Sequence, residues 1–188
     1  MYGAYGKRAF DLLFALLALV LLSPLFMLIA MLIKIYDPGP VIFRQMRIGR
    51  DGHAFAFFKF RSMPVDTGDI TSDKLMAVGI GGIGKFIRRT NIDELPQLFN
   101  ILKGEMSIVG PRPPIPSQTE LIELRKQNGA MKCRPGLTGL AQVKSFDRMT
   151  VKQKAEFDGE YANCITLFYD IKIILRTFIY LLKPPPVY

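Results

Sequence analysis

Leu12 to Ile33 is a run of 22 residues without a single charge and nearly all apolar. As a helix rising about 1.5 Å per residue it is about 33 Å long, enough to reach across a hydrocarbon core of about 30 Å. It is too long for the apolar part of a cleaved signal peptide and lacks a small-residue cleavage site. Ser23-Pro24 interrupts it at the centre. Proline has no N–H and clashes with the carbonyl four residues back, so a kink is predicted there. Both flanks are basic: Lys7 and Arg8 before the run, and Lys34, Arg44, Arg47 and Arg50 after it. Basic residues favour the cytoplasmic side. A kinked helix that enters and leaves by one face satisfies both flanks, and this re-entrant form is preferred. A single spanning helix is the alternative.

Tyr36-Asp37-Pro38-Gly39-Pro40 forms a turn that ends the membrane element. The division expected is therefore 1–36, a re-entrant membrane helix, and 37–188, one cytoplasmic-face domain with its own core. Val41–Ile48 and Ala54–Arg61 read as two strands joined through Gly49-Arg50-Asp51-Gly52. His53, the single histidine, has no second imidazole or thiol near it in sequence and reads as a solvated turn residue. Residues 64–84 are poor in large apolar groups and rich in glycine, and read as a mobile loop. Gly79-Ile80-Gly81-Gly82-Ile83-Gly84 lacks the strand–helix setting of a dinucleotide fingerprint. Thr119–Gln127 reads as a polar helix. Ile165–Leu182 is apolar but carries Lys172 and Arg176, which suits a helix lying in a membrane interface. The fold class expected is α+β, mainly helical: a re-entrant N-terminal helix, a small β-hairpin and interfacial amphipathic helices.

The net charge of +9 points to an anionic partner, whether phosphate groups, acidic lipid or nucleic acid. Cys133 and Cys164 lack a CxxC spacing and fit a reducing compartment better than a disulfide framework. The richest stretch is Arg88-Arg89-Thr90-Asn91-Ile92-Asp93-Glu94-Leu95-Pro96-Gln97-Leu98. It reads as a helix start, with Pro96 in the first turn and Gly104 as the stop. There Asp93 and Glu94 lie at or near the positive end of the helix dipole. A plain N-cap is the simpler alternative for the pair. Arginines on both sides, Arg88-Arg89 and Arg112, suit a metal ion and a phosphate held side by side. Pro111-Arg112-Pro113-Pro114 fixes the backbone around Arg112, as a bidentate phosphate ligand requires, although a plain surface loop has the same composition. From Arg125 to Lys154 eight basic residues stand against Asp147 alone. That pattern is either a solvated face or a surface for phosphate or anionic membrane.

These motifs together resemble the small monotopic phosphoglycosyl transferases, bacterial sugar transferases that begin membrane glycoconjugate assembly. The resemblance runs through Lys7-Arg8, Asp11, Ser23-Pro24, Lys59-Phe60-Arg61-Ser62-Met63, Asp93-Glu94-Leu95-Pro96-Gln97, Gly110-Pro111-Arg112-Pro113, Arg134-Pro135-Gly136-Leu137-Thr138-Gly139, and Phe157-Asp158 with Tyr161. It implies transfer of a phospho-sugar from a UDP-sugar to a polyprenol phosphate such as undecaprenyl phosphate. UMP is released, Mg²⁺ is the cofactor, and the site faces the cytoplasm at a bacterial inner membrane. It also implies the re-entrant first helix and the minimal catalytic form of the family. Two departures stand out. Lys144-Ser145-Phe146 replaces the Asn-Gly-Arg common in relatives, and no second proline follows Ser23-Pro24.

On this resemblance Asp93 is the nucleophile, Glu94 and Asp93 are Mg²⁺ ligands, and Arg88 and Arg112 clamp phosphate. Lys59 and Gln142 are further substrate-binding candidates, and Ser23 and Pro24 form the kink. The rival from another class is a membrane-anchored basic protein that binds acidic lipid or nucleic acid. Against nucleic acid, aromatics are not interleaved with the basic run as a single-strand platform requires, so no nucleic-acid partner is expected. The topology has a direct test. Cysteines placed at Ala4 and Asp37 should both react from the cytoplasmic face, and Pro24→Ala should shift the helix towards spanning. Labelling from opposite faces leaves a spanning helix.

Overall fold

The computed structural model of the chain describes residues 2–64, 82–144 and 149–182. Its longest element, α1 (Lys7–Tyr36), is 30 residues long and contains the whole apolar run. The helix continues through Pro24. Pro24 has no N–H to give the Val20 carbonyl, and the Ser23 hydroxyl donates to that carbonyl instead at 2.8 Å. The Ser-Pro pair thus interrupts the backbone ladder without leaving a bare carbonyl in apolar surroundings. Among the described residues α1 is the helix long and apolar enough to cross a membrane.

Most of its apolar surface is exposed, including Leu13, Leu16, Leu17, Val20, Leu21, Met27 and Met31. The buried positions, Asp11, Ala15, Ile29 and Ile33, lie towards its two ends. Their i, i+4 spacing places each pair on one helix face. Ala15 joins a core cluster with Phe57, Leu98, Ile101, Ile108, Val109, Tyr161 and Ile173. Ile29 and Ile33 join a second with Phe60 and Ile87, and Phe26 packs against both. Polar contacts fix the N-terminal end. Asp11 accepts from Ser107 Oγ at 2.9 Å and from the Ile108 amide at 3.0 Å.

β1 (Ile42–Ile48) and β2 (Ala54–Phe60) pair antiparallel, with Ile42 opposite Phe60 and Ile48 opposite Ala54. The turn between them places Asp51 and Gly52 at positive φ, 54° and 83°, which Asp and Gly tolerate better than most residues. His53 is exposed in this turn, as expected. Arg61, just after β2, donates to the carbonyl of Asp37, which caps α1. Helix α2 (Gly82–Arg89) begins inside the glycine run. The loop expected over 64–84 therefore ends in a helix, while residues 65–81 lie outside the described residues. Residues 145 and 146, where the family pattern departs, also lie outside them.

Helix α3 (Gln97–Lys103) lies against α1 and β2. It docks through Asn100, which is fully buried. The Asn100 amide donates to the Ala56 carbonyl at 2.7 Å and accepts from the Phe58 amide at 3.1 Å. One side chain thereby satisfies the free backbone edge of β2 as a third strand would.

A second sheet, which no local pattern in the sequence announces, lies beyond the hairpin. β3 (Ser107–Val109) and β4 (Gly136–Thr138) pair parallel, with Ser107 opposite Gly136 and Val109 opposite Thr138. Their loops meet through glycine. A Cβ on Gly136 would lie against the backbone of Gly110 and Thr138, and one on Gly139 against the Gly110 carbonyl. Helix α4 (Thr119–Gln127) has the expected bounds. Then come α5 (Leu140–Lys144) and α6 (Val151–Asn163), the latter opened by a Thr150–Gln153 capping box. Last is α7 (Leu167–Leu181). It exposes Phe168, Leu175, Phe178 and Ile179 beside exposed Lys172 and Arg176. Asp170 turns inward and is fully buried. It accepts from Lys7 Nζ at 2.7 Å, Tyr2 at 2.6 Å and Tyr161 at 2.8 Å.

The glycine crossing sets a testable cost. Gly136→Ala should destabilise the protein by about 3 kcal/mol, the upper end of overpacking costs, because backbone rather than a mobile side chain occupies the space. Gly82→Ala, which meets nothing within 4 Å, should be neutral or slightly stabilising. Denaturant unfolding in detergent reads both, and equal midpoints would contradict the close approach.

Candidate active site

Asp93 and Glu94 do not open α3. They form a separate 3-10 turn, Ile92–Glu94, and α3 begins at Gln97. The reason lies in Pro96. It has no N–H for the Ile92 carbonyl, which takes the Leu95 amide at 3.1 Å instead. Asn91 enters the turn at φ 55°, a left-handed conformation that Asn adopts more readily than most residues. The stop at Gly104 is as expected, with φ 87° at the C-cap.

This turn stands beside the end of β2, which delivers Lys59. Its ammonium lies between the two carboxylates, 3.1 Å from Asp93 Oδ2 and 2.8 Å from Glu94 Oε1. Arg112 approaches from the loop after β3. Its Nη2 donates to Glu94 Oε1 at 2.6 Å and its Nη1 to Oε2 at 3.3 Å. That is the two-pronged geometry with which a guanidinium also holds a phosphate. Arg88, near the end of α2, contacts Met63 Sδ at 3.0 Å, and its charge reaches Asp93. The structure thus gathers Lys59, Arg88, Asp93, Glu94 and Arg112 at one place.

Gln142 lies on α5. Its Nε2 donates to the Leu137 carbonyl at 3.4 Å, and its buried Oε1 has no hydrogen-bond partner. Ser23 and Pro24 lie within α1 and belong to the helix rather than to this centre. Sequence reasoning assigned no role to Asn100, which locks α3 onto β2, or to Arg125. It placed Arg125 within a basic run, whereas the structure buries it against Asp158.

The two carboxylates differ in acidity although adjacent in sequence. Burial pushes Asp93 above the usual carboxylate range; Lys59 pulls it down, Glu94 pushes it up and Arg88 pulls it down, and the net direction is upward. Burial pushes Glu94 the same way, but Arg112 and Lys59 outweigh it and hold its carboxyl well below the usual range. Glu94 is therefore firmly ionised, and Asp93 is the more basic of the two carboxylates. The donor set also suits Mg²⁺. Among the described residues no cluster of three or more metal-binding side chains exists. Mg²⁺ is usually held by one or two carboxylates with substrate phosphates completing its shell, and Asp93 and Glu94 provide that number.

The sequence profile described as bacterial sugar transferase matches residues 2–184. A UDP-glucose:undecaprenyl-phosphate glucose-1-phosphate transferase of Escherichia coli (strain K12) is 41% identical over 180 residues, covering 91% of this chain and 39% of that protein. The exopolysaccharide production protein ExoY of Rhizobium meliloti (strain 1021) is 36% identical over 193 residues, covering 93% of this chain and 84% of that protein. An undecaprenyl-phosphate glucose phosphotransferase of Komagataeibacter xylinus is 41% identical over 184 residues, covering 91% of this chain and 35% of that protein. The chain spans about two fifths of the Escherichia coli relative and most of ExoY.

Lys59 is the ammonium shared by both carboxylates, so Lys59→Met should cost about 2–3 kcal/mol at neutral pH, less than for a fully buried pair. The sign of the pH dependence follows from Glu94. Its folded-state pKa is depressed, so its stabilisation is present above the ordinary carboxylate pKa of about 4.3 and fades as pH falls below it. The gap between wild type and Lys59→Met should therefore be widest near neutrality and narrow in acid. A gap that is constant with pH, read by denaturant unfolding, would contradict the shared ion pair.

Proposed function

The chain belongs to the bacterial sugar transferase family, and from that we propose that it transfers a sugar 1-phosphate from a UDP-sugar to a polyprenol phosphate at a membrane surface. The single observation that carries the reading is the Asp93–Glu94 turn, with Lys59 between its carboxylates and the Arg112 fork on Glu94. The named relatives from Escherichia coli and Komagataeibacter xylinus act on undecaprenyl phosphate, which supports a polyprenol phosphate as acceptor.

In this reading Asp93 attacks the β-phosphorus of the UDP-sugar. A bond forms between its carboxylate oxygen and phosphorus. The bond from phosphorus to the bridging oxygen breaks, and UMP leaves with that electron pair. The acceptor phosphate then attacks the same phosphorus and expels the Asp93 carboxylate, giving a polyprenyl diphosphate sugar. Splitting the transfer lets one site serve a soluble donor and a membrane acceptor in turn. Arg112, with its fork, and Arg88, with its charge near Asp93, hold the phosphate oxygens and offset the repulsion between an anionic nucleophile and a diphosphate. Lys59 favours the ionised form of Asp93 against its burial and orients it. Glu94 and Asp93 would hold Mg²⁺, which when bound supplies further positive charge at the diphosphate oxygens.

The membrane arrangement follows the same argument. Both ends of α1 are fixed to one body, Asp11 to β3 and Ile33 to the second core cluster, while its middle exposes apolar side chains. This supports a re-entrant helix with both ends on the cytoplasmic face. The exposed apolar side of α7 would lie in the same interface. Residues 1–36 and 37–188 would then work as one unit.

The covalent step has a direct test. With UDP-sugar and Mg²⁺ but no acceptor, intact-protein mass spectrometry should show a phospho-sugar on Asp93 and a stoichiometric burst of UMP. Asp93→Asn should abolish both adduct and turnover. UMP formed only when both substrates are present, with no adduct trapped, would overturn the two-step reading in favour of a ternary complex.

A further inference from the structure

The loop that carries Arg112 is held at every carbonyl. Pro111, Pro113 and Pro114 fix three φ angles and contribute no N–H. The Pro111 carbonyl accepts from the Gly136 amide at 2.9 Å, and the Pro114 carbonyl from the Ile48 amide at 2.9 Å. The Pro113 carbonyl accepts from Arg47 Nη1 at 3.1 Å. The carbonyl of Arg112 itself accepts from Arg125 Nη1 at 2.8 Å.

That last partner differs in kind from the others. Arg125 on α4 is a buried cation, and its remaining nitrogens go to Asp158 on α6. Nε donates to Asp158 Oδ2 at 2.8 Å, and Nη2 lies 2.6 Å from the same oxygen. Both side chains are almost wholly buried, at 4% and 2% exposure. A buried ion pair gives little net stability over apolar residues of the same size. Here the pair has a directional use: the carboxylate on one helix orients a guanidinium on another, whose third arm holds the backbone of Arg112. The Arg112 side chain is 42% exposed, so apart from its bonds to Glu94 the place of its fork depends on where its backbone is held.

We infer that Arg125 and Asp158 are a positioning pair for the recognition of a diphosphate, setting the place of the Arg112 fork without touching the ligand. The inference rests on Arg112 being the phosphate clamp of the proposed function. Misplacing a binding group by about 1 Å, or removing the group that orients it, weakens function by about tenfold to a hundredfold in comparable cases.

The test uses the full chain in detergent with Mg²⁺, with UDP as the probe in a calorimetric titration. The paired variant Arg125→Met with Asp158→Leu removes both charges together, so that no ion is left buried alone. It should keep its thermal unfolding midpoint near that of wild type and bind UDP about tenfold more weakly. Introduced into Arg112→Ala, the pair should cause no further loss, because its effect runs through Arg112. Wild-type affinity in the paired variant overturns the inference. So does an equal further loss in the Arg112→Ala background, which would mean the pair acts elsewhere. If the paired variant does not fold, Arg125→Lys carries the test. It keeps the charge beside Asp158 but not the reach to both partners, so weaker UDP binding supports the inference and unchanged binding overturns it. UMP release is read separately. Wild type that binds UDP but releases no UMP from any UDP-sugar overturns the transfer reading and leaves the positioning pair standing. Wild type that does not bind UDP overturns both.

Discussion

Two adjacent carboxylates in a mostly buried turn require positive charge brought to them from elsewhere in the chain. The Asp93–Glu94 turn meets that requirement with Lys59 between both acids and Arg112 across Glu94. Much of the remaining architecture serves to deliver those two cations. The hairpin carries Lys59, and Asn100 fixes the free edge of β2 to the helix that follows the acids. The proline loop carries Arg112, held from the hairpin by Arg47 and Ile48 and from the helical side by Arg125. Removing an unpaired charge from water costs far more than any one of these contacts returns, so the centre is stable only as a set.

A second polar constraint governs α1. A helix with so much exposed apolar surface touches the domain core only through one side, which includes Ala15, Phe26, Ile29 and Ile33. Its orientation depends on groups near its ends: Asp11 against β3, Lys7 against Asp170, and the α1 C-cap against Arg61. Asp170 is the hub at the N-terminal end, taking Lys7, Tyr2 and Tyr161 at once. Ser23 and Pro24 complement this from within. The proline removes a backbone bond in the middle of the apolar stretch, and the serine hydroxyl satisfies the carbonyl it leaves. The helix can thus bend there without leaving an unsatisfied carbonyl in an apolar environment.

Local pattern made much of this legible. The apolar run, both hairpin strands, the polar helix Thr119–Gln127 and the glycine stop at Gly104 all depend on residues close in sequence; the structure places the strands, the polar helix and the stop within a residue of the expected bounds and extends the apolar run at both ends into a helix over Lys7–Tyr36. The start of α3 was displaced because a proline reads equally well as a first helical residue or as a break between a 3-10 turn and a helix. The parallel pair of β3 and β4 was not legible. Each strand has three residues, too short for a period, and the partners lie far apart in sequence.

By itself the sequence determined the chemical inventory: two acids before a proline, arginines on either side, and an apolar segment with one proline at its centre. These follow from residue type and spacing. Only the tertiary structure decided which charges meet. It paired Lys59 with both acids, turned Arg112 onto Glu94, and drew Arg125 out of a basic run to be buried against Asp158. The physical reason is that a charge in a low-dielectric interior must find its partner by distance in space, and that distance was set by the packing of α3 on β2, of α4 on α6, and of two glycine loops against each other.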